Sequence, residues 1–257
     1  MKQKQYIARS MQEKKPKFSS FRNKNSSISR PRNAASLILL KDNLKKIKVL
    51  LGKRSNKARF MPNAWVFPGG VIDKRDFLKI NIVSLDPKII RKLAVANNAS
   101  IANALAVTSI RETAEETGLL LGKTSNKFSL QNPDMTNGLE ILASRGLSPD
   151  LSKIHYLGRA ITPTFSPIRF HARFFVSDAK YLKGSIKTTN ELVEIDWIPI
   201  EKATKLPMAD VTEFMIRELL SFKAKISTLK RHITDRPMFT WKNGKQCHKK
   251  IKNYIKI

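Results

Sequence analysis

Cysteine and acid are both scarce in this 257-residue chain. Cys247 is the single thiol, so no disulfide can form within the chain, and a reducing, cytoplasmic setting is expected. Its neighbour His248 does not make a zinc site with it, because two adjacent side chains lack the remaining ligands of a closed tetrahedron. The sequence has no apolar run as long as the ~18 residues that a membrane-spanning helix requires. Residues 1–32 lack the apolar block of a secretory signal. They are basic, serine-bearing and nearly acid-free, which leaves an organelle transit peptide open. The C-terminus reads Ile255-Lys256-Ile257, so a Ser-Lys-Leu peroxisomal address is missing. Aromatic residues are few, and Phe18, Phe21 and Trp241 stand isolated among the basic ends, giving no stacking platform for nucleic acid.

Basic charge is abundant: 49 Lys and Arg against 20 Asp and Glu, a net of +29. The excess is uneven. Residues 1–32 carry a net +9 and residues 222–257 a net +10, whereas the 189 residues between them also net only +10. Ends of this kind admit nucleic acid or an anionic membrane as partners through phosphate or headgroup attraction, and equally describe loosely ordered lysine-rich termini. Three segments follow: a basic disordered stretch over 1–32, one folded domain over 33–222 with room for a single sizeable core, and a basic tail over 223–257.

Within the domain, Ala34 to Leu40 and Ile47 to Leu51 read as two strands joined by a turn at Asp42-Asn43. Pro68-Gly69-Gly70 ends the following loop, where proline fixes the backbone and glycine permits close approach to a ligand. Residues 77–100 read as an insertion carrying a short amphipathic helix from Pro87 to Ala96, either a lid or a packed surface elaboration. A helix is expected over about 101–117, stopped by Gly118. Further on, Glu140 to Gly146 suggests a short helix, Tyr156 to Ile161 and Arg169 to Val176 suggest strands, and Glu191 to Pro199 another, leading into a helix from Ala209 to Phe222. In the Arg169–Val176 strand the face of Phe170, Ala172, Phe174 and Val176 is expected in the core. The face of Arg169, His171, Arg173 and Phe175 is open to a substrate groove or to solvent.

The segment Arg111-Glu112-Thr113-Ala114-Glu115-Glu116-Thr117-Gly118-Leu119 concentrates the chemistry. On a helix, Glu112, Glu115 and Glu116 stand at i, i+3 and i+4 and share one face, opposite the apolar stripe of Ala106, Val107, Ile110 and Ala114. Like charges this close repel, and a divalent cation relieves the repulsion.

This segment, with Gly69-Gly70 upstream, resembles the signature of the Nudix hydrolases. Its pattern is a glycine pair, a spacer, then Arg-Glu-aliphatic-x-Glu-Glu-x-Gly-aliphatic. Thr113 replaces the aliphatic residue, and Gly70 to Arg111 spans 41 positions, about 27 more than the compact signature. The acidic residue early in the spacer has two candidates, Asp73 and Asp76. The resemblance implies an α/β/α sandwich, a mixed β-sheet between helices, with an extra helical insertion. It also implies Mg²⁺ or Mn²⁺ held by Glu112, Glu115, Glu116 and the Gly70 carbonyl. Glu115 is the expected base, and Arg111 holds a glutamate in place through an i,i+4 pair. One further carboxylate, Glu191 or Glu194, is expected from outside the helix.

A second motif, Leu50-Leu51-Gly52-Lys53-Arg54-Ser55, then Arg59, then Phe67-Pro68-Gly69-Gly70, resembles the coenzyme A pyrophosphatase signature in every spacing. Gly52 stands where that signature has threonine and Asn63 where it has its middle glycine. The long spacer, the run Phe60 to Asp73, and later Ile161-Thr162-Pro163 resemble the acyl-coenzyme A diphosphatase branch. The implied reaction is metal-dependent hydrolysis of the diphosphate in coenzyme A or acyl-coenzyme A to 3′,5′-ADP and (acyl)phosphopantetheine. Arg54, Arg59 and Lys53 are the candidates for the substrate phosphates. Rival readings are another nucleoside diphosphate derivative (a dinucleotide, a nucleotide sugar or an RNA cap) and a non-catalytic nucleotide- or RNA-binding module.

Overall fold

The structure is a computed structural model and describes residues 29–43, 46–59, 61–78, 84–126, 128, 137–166, 168–221, 235–242 and 245–252. The readings of residues 1–28, and of the tail at 222–234 and 253–257, lie outside the described residues.

A nine-stranded mixed sheet organises the chain. Its members are β1 (Arg32–Asn43), β2 (Lys46–Arg54), β3 (Trp65–Val66), β4 (Gly69–Val71), β8 (His155–Ile161), β9 (Phe170–Asp178), β11 (Leu192–Pro199), β12 (Asp235–Lys242) and β13 (Lys245–Lys252). Short pairs outside it are β5 (Leu119–Leu120) with β10 (Lys183–Gly184), and β6 (Gly122–Thr124) with β7 (Leu147–Pro149). The helices are α1 (Pro87–Ile90), α2 (Ala99–Thr117), α3 (Gly138–Ser144), α4 (Ile200–Ala203) and α5 (Asp210–Ser221). The main order is β11-β2-β1-β9-β8-β12-β13, with β3 on β2 and β4 on β1; β1–β9 and β8–β12 are parallel and the other pairs antiparallel.

Apolar alternation along β1 builds the sandwich. Leu37 and Leu39 join a core with Leu105, Val107 and Ile110 of α2, while Ile38 and Leu40 join a second core with Met215, Ile216 and Leu219 of α5. A central strand buried on both faces reads as a continuous apolar run, which is how Ala34 to Leu40 is written. α2 begins where the Asn98 side chain accepts from the Ile101 N–H, and it ends at Gly118 with φ of 72°, the left-handed stop expected of that glycine.

Three expectations are revised. Asp42 and Asn43 are not the turn; they pair with Ile47 and Lys46 inside the hairpin. The helix in the insertion lasts only from Pro87 to Ile90, and Ala94, Ala96 and Asn97 then adopt positive φ. Leu85, Ile90, Leu93 and Val95 are buried in the α2-side core, so the insertion's described part packs as an elaboration of the fold. Residues 235–242 and 245–252, placed in the basic tail, form the paired strands β12 and β13 and extend the sheet by pairing Met238 with Arg159 and Phe239 with Ala160.

Candidate active site

β4 carries Gly69 and Gly70 antiparallel to Ser36 and Ala35 of β1. A Cβ at Gly69 would press on the β1 backbone, and one at Gly70 would collide with the Glu112 carboxylate. Only glycine lets the helix glutamates come this close to the strand. The Gly69 N–H donates to Glu116 Oε2 at 3.1 Å. Glu112 and Glu116, four residues apart on α2, therefore both lie against the glycine pair.

Arg111, 4% exposed, fixes this end of the helix. Its Nε and Nη2 donate to the two Asp76 oxygens at 2.7 and 3.1 Å, Nη2 also to the Val71 carbonyl at 3.1 Å, and Nη1 to Glu112 at 2.8 Å and Glu115 at 3.2 Å. The Arg111–Glu115 contact is the i,i+4 pair expected. Asp76 is buried and accepts further bonds from Thr108 Oγ1 at 2.7 Å and the Asp73 N–H at 2.8 Å. Asp73 instead faces solvent and pairs with Arg75. Of the two spacer acids, Asp76 is the one that anchors the arginine.

The three glutamates have different partners, although Glu112 and Glu115 share the Arg111 Nη1 donor. Glu115 accepts from Arg111 and, at 2.8 Å, from the Gly138 N–H that opens α3. It does not line the cavity that Glu112 and Glu116 line. That cavity has a volume of about 420 Å³ and is walled by β1, β4, β8 and β9, the start of α5, and Phe239. Arg54 and Glu191 also line it; Lys53, Arg59 and Glu194 do not. Glu191 precedes β11, whose Leu192 pairs with Arg54 of β2, which brings acid and cation from separate segments to one rim.

Burial pushes the Glu112 carboxyl up to about 7, with Arg111 pulling the other way and Glu115 adding to the rise. Glu116, almost wholly enclosed, is raised well above the ordinary range by burial and then by Glu112; the Gly69 N–H and Arg54 oppose this, and Glu191 adds to it. Arg111 is disfavoured by burial but is held above its usual value by Asp76 and the glutamates.

The departures from the signatures have local causes. Thr113 is buried in α2 and its hydroxyl donates to the Ser109 carbonyl at 2.7 Å, so a polar atom at an aliphatic position is satisfied within the helix. Asn63 has φ of 61°, a left-handed conformation that glycine and asparagine adopt readily. A Cβ at Gly52 would meet the Leu192 side chain at 2.5 Å, leaving no room for threonine.

On the face expected in the core, Phe174 and Val176 are buried and Ala172 packs against them, while Phe170, Ala172 and Phe174 also line the cavity. Arg173, on the face expected to be open to a substrate groove or to solvent, is instead buried behind the sheet and donates to Leu93 O, Ala94 O, Asn33 Oδ1 and His171 O. Phe239 was missed altogether, although Asn243-Gly244 between two extended runs is a strong hairpin signal. The pairing of Lys242 with Lys245 leaves only those two residues between the strands.

A mixed sheet between α2 and α5, with Glu112 and Glu116 against a glycine pair, defines the Nudix α/β fold. No family model matches the chain. Over 179 residues it is 30% identical to "Putative nudix hydrolase 7" of Caenorhabditis elegans, covering 65% of this chain and 51% of that protein. Over 112 residues it is 34% identical to the acyl-coenzyme A diphosphatase NUDT19 of Xenopus laevis, covering 35% of this chain and 30% of that protein. The chain thus spans about half, or less, of the length of these curated relatives. The crystal structure of a NUDIX hydrolase from Alicyclobacillus acidocaldarius superposes with a TM-score of 0.58 at 28% identity, covering 76% of this chain and 93% of that one. The chain has the Nudix fold and is a relative of these Nudix hydrolases.

Proposed function

We propose that this protein is a metal-dependent pyrophosphohydrolase that splits the diphosphate of coenzyme A or an acyl-coenzyme A, releasing 3′,5′-ADP and (acyl)phosphopantetheine. The observation that carries the reading is the pairing of the buried Glu116 and the half-buried Glu112, packed on Gly69 and Gly70 in a cavity that Arg54 and Glu191 also line.

Among the described residues, no three His, Cys, Asp or Glu side chains are grouped to hold an ion by themselves. Magnesium fits such a donor set, since it is commonly bound by one or two carboxylates with substrate phosphate and water completing the shell. Glu112, Glu116 and the Gly70 carbonyl would hold Mg²⁺ or Mn²⁺. When bound, the metal lowers the pKa of water and neutralises charge building on the phosphoryl oxygens.

The chain's own residues do the rest. Arg111, locked to Asp76, fixes the rotation of α2 so that Glu112 and Glu116 face the glycines. Arg54 provides the cation for the substrate phosphates. Glu191 reaches the cavity from outside the helix, free of the Arg111 network, and takes the water proton. Glu115, the base suggested by sequence, is held by Arg111 and Gly138 outside the cavity lining and acts as a positioning residue. The coenzyme A assignment draws on the Leu50–Gly70 motif and on the similarity to the acyl-coenzyme A diphosphatase of Xenopus laevis.

Hydrolysis of coenzyme A, acyl-coenzyme A, NADH, ADP-ribose and dinucleoside polyphosphates, measured with Mg²⁺ and with Mn²⁺, tests the reading. Faster turnover of the coenzyme A compounds is expected. Equal or better turnover of any other substrate overturns the assignment and leaves the relationship to the Nudix hydrolases standing.

A further inference from the structure

One row of register partners crosses five neighbouring strands: Val71 of β4, Ala34 of β1, Ala172 of β9, Ala160 of β8 and Phe239 of β12. Paired residues in a sheet point to the same face, and all five line the cavity. The middle of the row is three alanines, so the floor is a shallow trough. Phe174, from the next row on the same face, forms one side, and the first turn of α5 contributes Val211 and Thr212. At the far end Phe239 stands against Phe214 with ring centroids 5.3 Å apart, a packed aromatic stop. The hairpin that carries it is seated closely: a Cβ at Gly158 would meet the Pro237 carbonyl at 2.6 Å, so β12 docks where β8 has no side chain.

Four steps between strands put Phe239 about 19 Å from the glycine strand. The chain joining the diphosphate to sulfur in phosphopantetheine has about twelve bonds, equivalent to four extended residues or about 14 Å. Adding the diphosphate itself brings the thiol to the region of Phe239. Ser36 and Thr162, also in the lining, supply hydroxyls for the amides of such an arm.

Building on the coenzyme A reading, we propose that the alanine row is the seat of the pantetheine arm and that Phe239, contributed by the C-terminal hairpin, limits the size of the acyl group on its sulfur. A narrow arm fits over the alanines, with the Ser36 and Thr162 hydroxyls beside it. The thioester end meets an aromatic wall.

The test is calorimetric affinity of the full chain, with chelator present so that no turnover occurs, for 3′,5′-ADP, coenzyme A, acetyl-coenzyme A and palmitoyl-coenzyme A. Ala172→Leu fills the trough and is expected to weaken coenzyme A at least about tenfold relative to 3′,5′-ADP. Phe239→Ala removes the stop and is expected to favour palmitoyl over acetyl-coenzyme A by about tenfold more than wild type does. Circular dichroism shows whether each variant folds, and Phe239→Leu replaces Phe239→Ala if the latter does not. Equal weakening of both ligands by Ala172→Leu, no weakening of either, or an unchanged palmitoyl-to-acetyl ratio in the Phe239 variant overturns the proposal. So does a wild type that binds 3′,5′-ADP and coenzyme A equally. A protein that shows the expected affinities but splits none of these compounds sinks the proposed function alone.

Discussion

Glu116 and Arg173 are both buried ionisable side chains close to the same stretch of β1, and their surroundings differ. Arg173 is 1% exposed, and its guanidinium donates four hydrogen bonds to neutral oxygens at 2.6–3.3 Å. Burial lowers its pKa to about 10, still far above neutrality. Glu116 is 5% exposed and accepts a hydrogen bond from the Gly69 N–H; burial raises its pKa, Glu112 and Glu191 raise it further, and Gly69 and Arg54 offset only part of this. The arginine fastens the insertion, through Leu93 and Ala94, to the back of β9. The glutamate, at the cavity, has charge that the protein alone does not balance. Buried charge that is satisfied marks structure, and buried charge left uncompensated marks a place for a ligand ion.

The sharpest way to break this contrast is to neutralise one carboxylate of each kind. Glu116→Gln is expected to lower kcat by about a thousandfold or more, with thermal stability unchanged or raised, because a charge that burial penalises is removed. Glu115→Gln is expected to lose some stability through its Arg111 and Gly138 bonds and to lose far less kcat. Both rates come from coenzyme A hydrolysis with Mg²⁺, and both stabilities from thermal unfolding. If Glu115→Gln abolishes turnover with stability intact, the base is Glu115, as the sequence pattern suggested.

Arg173→Met tests the other half. The loss leaves the Leu93 and Ala94 carbonyls without their buried donor, and a cost of about 3 kcal/mol in urea unfolding is expected. A change below about 0.5 kcal/mol would show that the insertion is not fastened by this residue. Sequence could not reveal that role. Alternation correctly put Phe170, Ala172 and Phe174 on one face and Arg173 on the other, but it could not say which face would be hollow. That depended on where α5 and the distant β12 strand came to rest, a long-range arrangement with no local trace. The helix, by contrast, was legible down to its stop, since Arg111, the glutamate spacing and Gly118 are local signals. The divergence of Glu115 from its two neighbours was hidden because i+3 and i+4 spacing fixes a face and leaves the rotamer, and the neighbour that captures it, undecided.

The electrostatic side of the contrast has a pH signature. Glu112 has a native pKa of about 7 against an ordinary 4.5. The folded state therefore binds more protons than the unfolded state between those values, so this contribution is present below pH 4.5 and is lost as pH rises through 7. His171 acts oppositely: burial, Arg173 and Arg159 lower it from 6.5 to about 3, so its contribution is lost as pH falls through that window. The variant Glu112→Gln isolates the first effect. It is expected to be more stable than wild type above pH 7 by about 2 kcal/mol, and equal to it below pH 4.5. Mg²⁺ should close the gap above pH 7 by stabilising the wild type alone. A gap that is the same at both ends of the range would mean that the carboxylate is not penalised by its burial.

The smallest effects concern the two positions where the coenzyme A motif departs from its pattern, and they ask whether the cavity rim is as locally determined as the helix. Asn63 sits at φ of 61°, so Asn63→Gly relieves the backbone but enlarges the unfolded ensemble, and a net change of only a few tenths of a kcal/mol is expected. Gly52→Thr differs, because Leu192 is fully buried and occupies the space that the new side chain would need. Its cost is expected at about 1–2 kcal/mol. The double variant Gly52→Thr with Leu192→Ala should recover part of that loss, since the collision disappears with the larger partner. Strict additivity of the two changes would mean that glycine at 52 is there for some reason other than Leu192. Recovery would show that the motif was rewritten by its partner strand while Arg54, two residues on, kept its place at the cavity.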